Sequence, residues 1–571
     1  MLQCLIKDDD ISITIAGEAG QGIDTITEII IKLFKISQYN VFSTKEYMSR
    51  VRGGINSSQI RISSSEISSC TSKIDFLFVL SENSVEHCKE NISDETFIFY
   101  DDILKNISLN EAKSFAIPIT SSSAKVGGKI FSNVIITGII FGLFKLEISL
   151  IENNIRKSFS NKPEDVILKN LEAVKTGYEL GQNILANTGI TINIQKDSTV
   201  KEKIITNGAQ SVALGCIAGG CDFISSYPMS PSTDVLTYLA QKSDDFNIIV
   251  EQAEDEISAI NMGIGAWSVG ARGMVTTAGG GFDLMVEGLS LAGMIESPMV
   301  IHLGQRPGPA TGLPTRTEQA DLNLALYGGH GEFPRIVLTP GTHEDCFYLA
   351  QKAFYLTDKY QIPVFLLTDQ YLVDSSSVCN PFKVEDSEIQ DFIIKTDSNY
   401  KRYKFTEDGV SPRGIAGYGD GLVKLCSDEH DEDGHSIENL DIRVQMTDKR
   451  LKKLDLIKKE VYHPELFGSE NYKILLIGWG STCNMIKETM KFLDMPDVAF
   501  LYFKQVYPLS EKTLDYLTKT QNTICIENNA TGQFAKLIKT ETGFCIKHKI
   551  LKYNGLPFYT EELVNKIKGT I

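Results

Sequence analysis

The stretch ISITIAGEAGQGIDTITEIIIKLF, residues 11–34, decides how the chain is read. Ile11 to Ala16 reads as a strand and Ile23 to about Phe34 as a helix. Between them stands Gly17-Glu18-Ala19-Gly20-Gln21-Gly22. Glycines at a strand-to-helix handover allow tight turns and let backbone N–H groups approach an anion at the helix N-terminus. The spacing is not G-x-G-x-x-G, and no Walker lysine follows. Gly17, Gly20 and Gly22 are therefore either an anion or nucleotide site or a structural turn. Arg50-Val51-Arg52-Gly53-Gly54 offers two guanidinium groups, Arg50 and Arg52, for phosphate contact, or forms a solvated loop. Short strands at Phe76 to Leu80 and Thr96 to Tyr100 follow. Strands alternating with helical segments indicate a parallel α/β sheet.

Working outward, the polar stretch Ala186 to Val200 reads as a linker. A second α/β block opens with a helix from Asn207 to Ala218. Its expected strands are Phe223 to Ser225, Phe246 to Val250, Gly273 to Thr277, Met299 to Gly304, Arg335 to Leu338 and Val364 to Leu367, each followed by a turn and a helix. From about Asp386 to Lys453 the pattern is irregular and charged, with an acidic run at 427–435. A third block begins at Tyr472, with strands expected at Ile474 to Ile477 and Asn522 to Glu527.

The 571 residues leave room for three or four domains. With 42% hydrophobic and 23% charged residues the composition is that of a soluble globular protein. The net charge of −17 argues against a nucleic-acid partner, whose phosphates need basic residues. No signal peptide is expected, because the apolar start stops at Asp8-Asp9-Asp10. The apolar run Val134 to Phe144 is too short to span a bilayer and reads as a buried helix. No membrane partner is expected, and the location is read as cytoplasmic. The 11 cysteines are scattered, with no C-x-x-C, which excludes the usual local zinc and iron–sulfur spacings.

Four segments of the second block carry candidate chemistry. Tyr227-Pro228-Met229-Ser230-Pro231-Ser232-Thr233-Asp234 is a rigid strand-end loop that presents hydroxyls to a carbonyl or carboxylate; alternatively Ser232 or Asp234 simply caps the next helix. Glu251 to Glu256 holds four carboxylates before a helix of small residues, Ile257 to Val269. Macrodipole compensation explains any one of them. A carboxylate on the packed side is instead desolvated, which raises its pKa as an acid partner for a cofactor nitrogen requires. Gly279-Gly280-Gly281 permits close approach to a ligand, or a tight turn into a helix from Leu284 to Ala292. In the stiff loop 305–316, Arg306 and Arg316 are candidates for bidentate carboxylate binding, with surface salt bridges as the alternative.

Together these segments resemble one family. Residues 208–215, 227–234, 254–266, 308–322, 330–335, 408–413, 428–435 and 527–533 are similar to the alpha subunit of 2-oxoacid:ferredoxin oxidoreductases. Residues 17–22 and 49–54 look like its gamma domain. The loop 308–322 is the most specific piece. The resemblance implies three α/β domains: a gamma-type domain over 1–185, a thiamine-diphosphate pyrimidine-binding-type domain over 204–385, and a transketolase-C-like domain over 471–571. A linker at 186–203 and a charged connecting segment at 386–470 join them. It implies thiamine-diphosphate-dependent oxidative decarboxylation of a 2-oxoacid, 2-oxoglutarate favoured over pyruvate, with coenzyme A as acyl acceptor and ferredoxin as electron acceptor. A beta subunit would supply the diphosphate-side half-site, Mg2+ and a [4Fe-4S] cluster; no metal ligand is expected here.

By position, Glu256 falls where the family places the glutamate that contacts the aminopyrimidine ring. Ser230 falls where it usually has Thr in a Tyr-Pro-Ile-Thr-Pro loop, so the hydroxyl is kept and a methyl lost. Arg316 matches its carboxylate-binding arginine. Tyr227, Pro228, Gly279 and Gly280 are the further cofactor-side candidates. Gly17, Gly20, Gly22, Arg50 and Arg52 are candidates for coenzyme A or another anion. Two other readings stay open: a thiamine enzyme of transketolase or dehydrogenase type without an iron–sulfur partner, and a non-enzymatic nucleotide-sensing scaffold. The N-terminal block and the 308–322 loop disfavour the first. Glu256, Ser230 and Arg316 count against the second.

Overall fold

An eight-stranded sheet, a two-stranded pair and a layer of helices make up the first of two units in the computed structural model, which describes residues 6–7, 9–49, 54–105, 113–386 and 390–571. That unit spans Met1–Thr206, Ser375–Pro381 and Tyr559–Glu561. Its central strand Asp10–Glu18 pairs in parallel with Phe76–Val79, which continues in parallel to Phe97–Asp101 and Ser114–Ile117. On its other side the sheet turns antiparallel, through Ile55–Ser63 to Asn40–Glu46 and then Ser376–Cys379, with Ile204–Asn207 at the edge. The sheet is therefore mixed rather than parallel. The two antiparallel strands escape a hydrophobicity reading because they bury polar residues: Ser43, Ser57, Ser58, Arg61 and Ser63 are all inside. Arg61 pairs there with Ser69 O and Asp10.

The apolar run at 134–144 is a buried helix, Ser132–Leu143, lying against Glu164–Thr188. Glycines bring the two backbones together: a Cβ at Gly138 would stand 2.3 Å from Val174 O, and one at Gly177 2.1 Å from Ile135 O. The expected linker carries structure of its own. Thr191–Ile192 pairs with Ile6–Lys7, and Ile190, Ile194 and Val200 are buried apolar anchors between polar neighbours. Among the described residues no single helix is long and apolar enough to cross a membrane.

The second unit spans Asn207–Asp374, Phe382–Phe558 and Glu562–Ile571. It holds a seven-stranded sheet in the order Ile249–Gln252, Phe223–Ser226, Gly273–Thr277, Met299–Gln305, Pro363–Asp369, Ile336–Leu338, Gln505–Tyr507. All but the last strand run parallel. The central strands Met299–Gln305, Pro363–Asp369 and Ile336–Leu338 are fully buried and largely apolar, as a sheet covered on both faces demands, while the edge strand Ile249–Gln252 is mostly exposed. A five-stranded sheet, centred on Ile474–Trp479, shares the same hydrophobic core. Phe246, expected to open a strand, instead ends the helix Thr233–Phe246, whose chain reverses through Asn247 at φ 55°.

The charged segment after residue 386 is pinned by buried ions rather than left as a solvated tail. Arg402 donates to Glu296 O at 2.7 Å, while Lys449 and Lys453 of the helix Leu440–Ile457 reach the Glu296 carboxylate at 2.5 and 2.6 Å. In the acidic run, Glu429 accepts two hydrogen bonds from Arg450, at 3.1 and 3.0 Å. His430 is buried with its ring 3.8 Å from that of Tyr403.

Candidate active site

The parallel strands of the second unit end together, and the loops leaving their C-terminal edge carry the candidate residues. This edge is the usual ligand-binding side of a parallel α/β sheet. The strand Ile249–Gln252 leads through Ala253 into the helix Glu256–Ser268. Of the four carboxylates in between, Glu251 and Glu254 are exposed. Asp255 is the N-cap, accepting from Ser258 N at 2.8 Å. Glu256 alone is buried, 3% exposed, and its Oε1 has no hydrogen-bond partner among the described residues. Burial raises its pKa above the usual carboxylate value; its own backbone N–H opposes this and Asp255 adds to it. The helix N-terminus thus explains Asp255 and leaves Glu256 for other work.

The glycine triplet forms the first turn of the helix Gly279–Met294, not a turn before it. Gly281 lies under Glu256: a Cβ there would stand 2.6 Å from Glu256 Oε1 and 2.2 Å from Thr277 Oγ1. Gly279 lies under Asp321, whose carboxyl oxygens would be 2.6 and 2.7 Å from such a Cβ. Gly280 faces Ala310 O at 3.6 Å by the same measure. The result is a side-chain-free floor between two carboxyls.

In the loop after Phe223–Ser226, Ser230 is half-buried, Pro228 half-buried and Tyr227 exposed. Ser232 precedes the helix Thr233–Phe246, but its hydroxyl donates to Met229 O at 2.7 Å and does not cap it. Arg306, directly after Met299–Gln305, donates from Nη1 to Ser230 O at 2.7 Å. Arg316 sits elsewhere in its loop, half-buried and packed on the turn at Gly555, where an added Cβ would meet its Cβ at 3.1 Å. The structure thus joins Arg306 to the Ser230 loop.

Residues not singled out in the sequence complete this edge. Asp321 N donates to Gln305 Oε1 at 3.0 Å. Asp369 ends the strand Pro363–Asp369, is buried, and accepts from Leu372 N at 3.0 Å. Burial pushes Asp321 to about 7, and Glu318 and Asp369 each to about 6. Below them His302 is wholly buried, its Nδ1 at 2.6 Å from Thr276 Oγ1 and its Nε2 at 2.9 Å from Thr368 Oγ1. Desolvation holds it at about 3, so it is a neutral structural link. Glu318 and Asp321 lie inside the 308–322 motif, so the signal was present; nothing in the linear spacing marks them as buried.

In the first unit, Gly22 is the N-cap of Ile23–Ile36 at φ 72°, and Gly20 has φ 93°. Gly20, Gln21 and Gly22 line a cavity of about 350 Å³ with Asp101, Thr120, Lys129 and Asn133. Gly17 is held away by packing: a Cβ there would meet Gln21 Oε1 at 2.3 Å and Leu80 Cβ at 2.9 Å. Arg50 and Arg52 lie outside the described residues.

Comparison with known proteins gives the family. A family model for pyruvate flavodoxin/ferredoxin oxidoreductase, thiamine diphosphate-binding, matches residues 214–449, and one for pyruvate ferredoxin/flavodoxin oxidoreductase matches residues 12–180. A 2-oxoacid:ferredoxin oxidoreductase subunit alpha from Sulfolobus sp is 32% identical, covering 97% of this chain and 96% of its own length. The 2-oxoglutarate oxidoreductase subunit KorA of Mycobacterium tuberculosis is 26% identical over 99% of this chain and 92% of its own. A structure of 2-oxoglutarate:ferredoxin oxidoreductase from Magnetococcus marinus, with 2-oxoglutarate, coenzyme A and succinyl-CoA bound, superposes with a TM-score of 0.92 at 30% identity, covering 99% of this chain and all of that one. On these grounds the chain belongs to the 2-oxoacid:ferredoxin oxidoreductase family, as an alpha subunit of a multisubunit oxidoreductase with a gamma-type region at its N-terminus.

Proposed function

We propose that this chain supplies the pyrimidine side of a thiamine-diphosphate site that oxidatively decarboxylates a 2-oxoacid, with 2-oxoglutarate favoured over pyruvate. One observation carries the reading: a buried carboxyl, Glu256, stands with a free oxygen over a glycine floor. A buried polar atom without a partner calls for a ligand group that completes it. The aminopyrimidine of thiamine diphosphate fits, because its ring nitrogen pairs with a carboxyl and its flat face needs a floor without side chains. When bound, that cofactor supplies a nucleophilic carbon and an electron sink for decarboxylation.

This chain's own residues orient and exclude. The raised affinity of Glu256 for a proton lets it hold one at the ring nitrogen. Ser230 offers a hydroxyl at the substrate, and Arg306 fixes that loop through Ser230 O. Arg316 is assigned a substrate carboxylate by its place in the loop motif. Tyr227, Pro228, Gly279 and Gly280 would border the cofactor. The 2-oxoacid and coenzyme A become acyl-CoA, carbon dioxide, a proton and two electrons. A beta subunit carrying Mg2+ and a [4Fe-4S] cluster would complete the site and supply a one-electron route to ferredoxin. Coenzyme A is assigned to the cavity beside Gly20 and Gly22. The relatives with 2-oxoglutarate in their names or bound support that substrate. The test is to co-purify the chain with its beta subunit and screen 2-oxoacids with coenzyme A and a low-potential acceptor. Turnover led by 2-oxoglutarate is expected; a complex inert to every 2-oxoacid would overturn the reading.

A further inference from the structure

Two carboxyls flank the same three glycines, and only Glu256 has been given a task. Asp321 covers the other end. Both its oxygens lie over Gly279, and its Oδ2 is buried without a hydrogen-bond partner among the described residues. Its place is set from behind: its N–H donates to Gln305 Oε1 at 3.0 Å, and Gln305 Nε2 donates to Thr368 O at 3.0 Å. Arg306, next to Gln305, is in the same condition. Its Nη1 is committed to Ser230 O, while its buried Nε has no partner. The two groups attract each other electrostatically, yet neither Asp321 Oδ2 nor Arg306 Nε is used by the other. Leaving a buried carboxyl oxygen and a buried guanidinium N–H both open costs on the order of 1–3 kcal/mol each, more for charged groups. Such a pair is kept where a ligand closes it.

The ligand must accept from both. Arg306 has only donors, and Asp321 becomes a donor when neutral. The surroundings favour that form: burial acts first, Asp283 of the helix Gly279–Met294 and Glu318 of the 308–321 loop repel a second negative charge, and only Arg306 opposes them. Gln533, which packs on this segment by donating to Ala320 O at 2.6 Å, is neutral. A carboxylate has two oxygens to fill two donor positions. We propose that Asp321 is a specificity-determining residue that donates a hydrogen bond, as the neutral acid, to a carboxylate of the 2-oxoacid held beside Arg306. The inference rests on the 2-oxoacid reading above and adds to it a donor that titrates.

A titrating donor ties substrate binding to proton uptake. The complex with the beta subunit is loaded with thiamine diphosphate, and the unreactive isosteres oxamate (for pyruvate) and N-oxalylglycine (for 2-oxoglutarate) are titrated calorimetrically in buffers of different ionisation enthalpy. At a pH about one unit above the Asp321 value, the wild-type complex should take up close to one proton per site on binding. Affinity should fall by up to about tenfold per pH unit above about 7. Asp321→Asn keeps a donor and cannot titrate, so it should bind with no linked proton and a flat profile. Asp321→Ala should weaken binding about tenfold or more at a pH near 6. An effect confined to N-oxalylglycine assigns the distal carboxylate; one shared with oxamate assigns the carboxylate beside the carbonyl. Identical proton uptake and pH profiles in wild type and Asp321→Asn would overturn the proposal, and the wild-type measurement needs no variant to fold. A wild-type complex that turned over no 2-oxoacid at all would instead mark failure of the functional reading beneath it.

Discussion

At the scale of single residues, burial separates Glu256 from the three carboxylates around it. Glu256→Gln is expected to leave the fold intact and cut turnover of the complex about 100-fold or more, because an amide cannot hold or release the proton a carboxyl does. Near-normal turnover would remove Glu256 from the reaction. The arginines divide similarly. Arg316→Lys should raise KM about 10- to 150-fold if its planar fork pairs with a carboxylate, and more than Ser230→Ala does. Unchanged kinetics would assign Arg316 to packing at the Gly555 turn. The sequence marked Glu256, Ser230, Arg306 and Arg316 through their motifs. It could not mark Asp321 or Asp369 as desolvated, because the elements that cover them lie far away along the chain. Asp321 meets Gly279, 42 positions earlier.

At the scale of elements, the start of the helix Gly279–Met294 shows tertiary contact overriding local preference. Glycine is a poor helix former, so a reading by propensity starts this helix at Leu284. The structure starts it at Gly279, because Thr277, Glu256 and Asp321 occupy the space where side chains would stand. Gly281→Ala is therefore expected to push Glu256 off the floor. Turnover should fall at least about tenfold, with a loss of roughly 1–3 kcal/mol in stability from overpacking. Full activity with an unchanged melting temperature would mean that Glu256 has room to move. Six strands of the seven-stranded sheet were legible because short apolar runs bounded by turn residues have few other uses; the three-residue edge strand Gln505–Tyr507 was too short to read. The strands Asn40–Glu46 and Ile55–Ser63 were not, since buried hydroxyls and one paired arginine interrupt the apolar residues Val41, Phe42, Ile55, Ile60 and Ile62 that they also bury. The short pairing of Thr191–Ile192 with Ile6–Lys7 left no pattern long enough to read.

At the scale of the molecule, the division of labour sets the last expectation. The helix Glu256–Ser268 buries Glu256, Ala259, Gly263 and Trp267, and turns Ile257, 50% exposed, outward. Val269, which follows it, is 64% exposed. Asn261 and Gly265 are exposed on the same helix, and nothing lies within 4 Å of a Cβ placed at Gly265. A helix that carries the proposed catalytic carboxyl on its buried side and open small and apolar residues on the other suits close packing against a second chain. The chain also lacks C-x-x-C spacing for a cluster, and the diphosphate side of the site is assigned to the beta subunit. Half a cofactor site binds weakly, because the groups that hold the diphosphate carry much of the affinity. Purified alone, the chain should be colourless, bind thiamine diphosphate weakly by calorimetry and reduce no acceptor with any 2-oxoacid. Adding the beta subunit should bring the colour of its own cluster and restore tight cofactor binding and turnover together, since the last two depend on one interface. An isolated chain that carried iron and turned over would place the cluster and the electron path in this polypeptide, and the partition between subunits would fail.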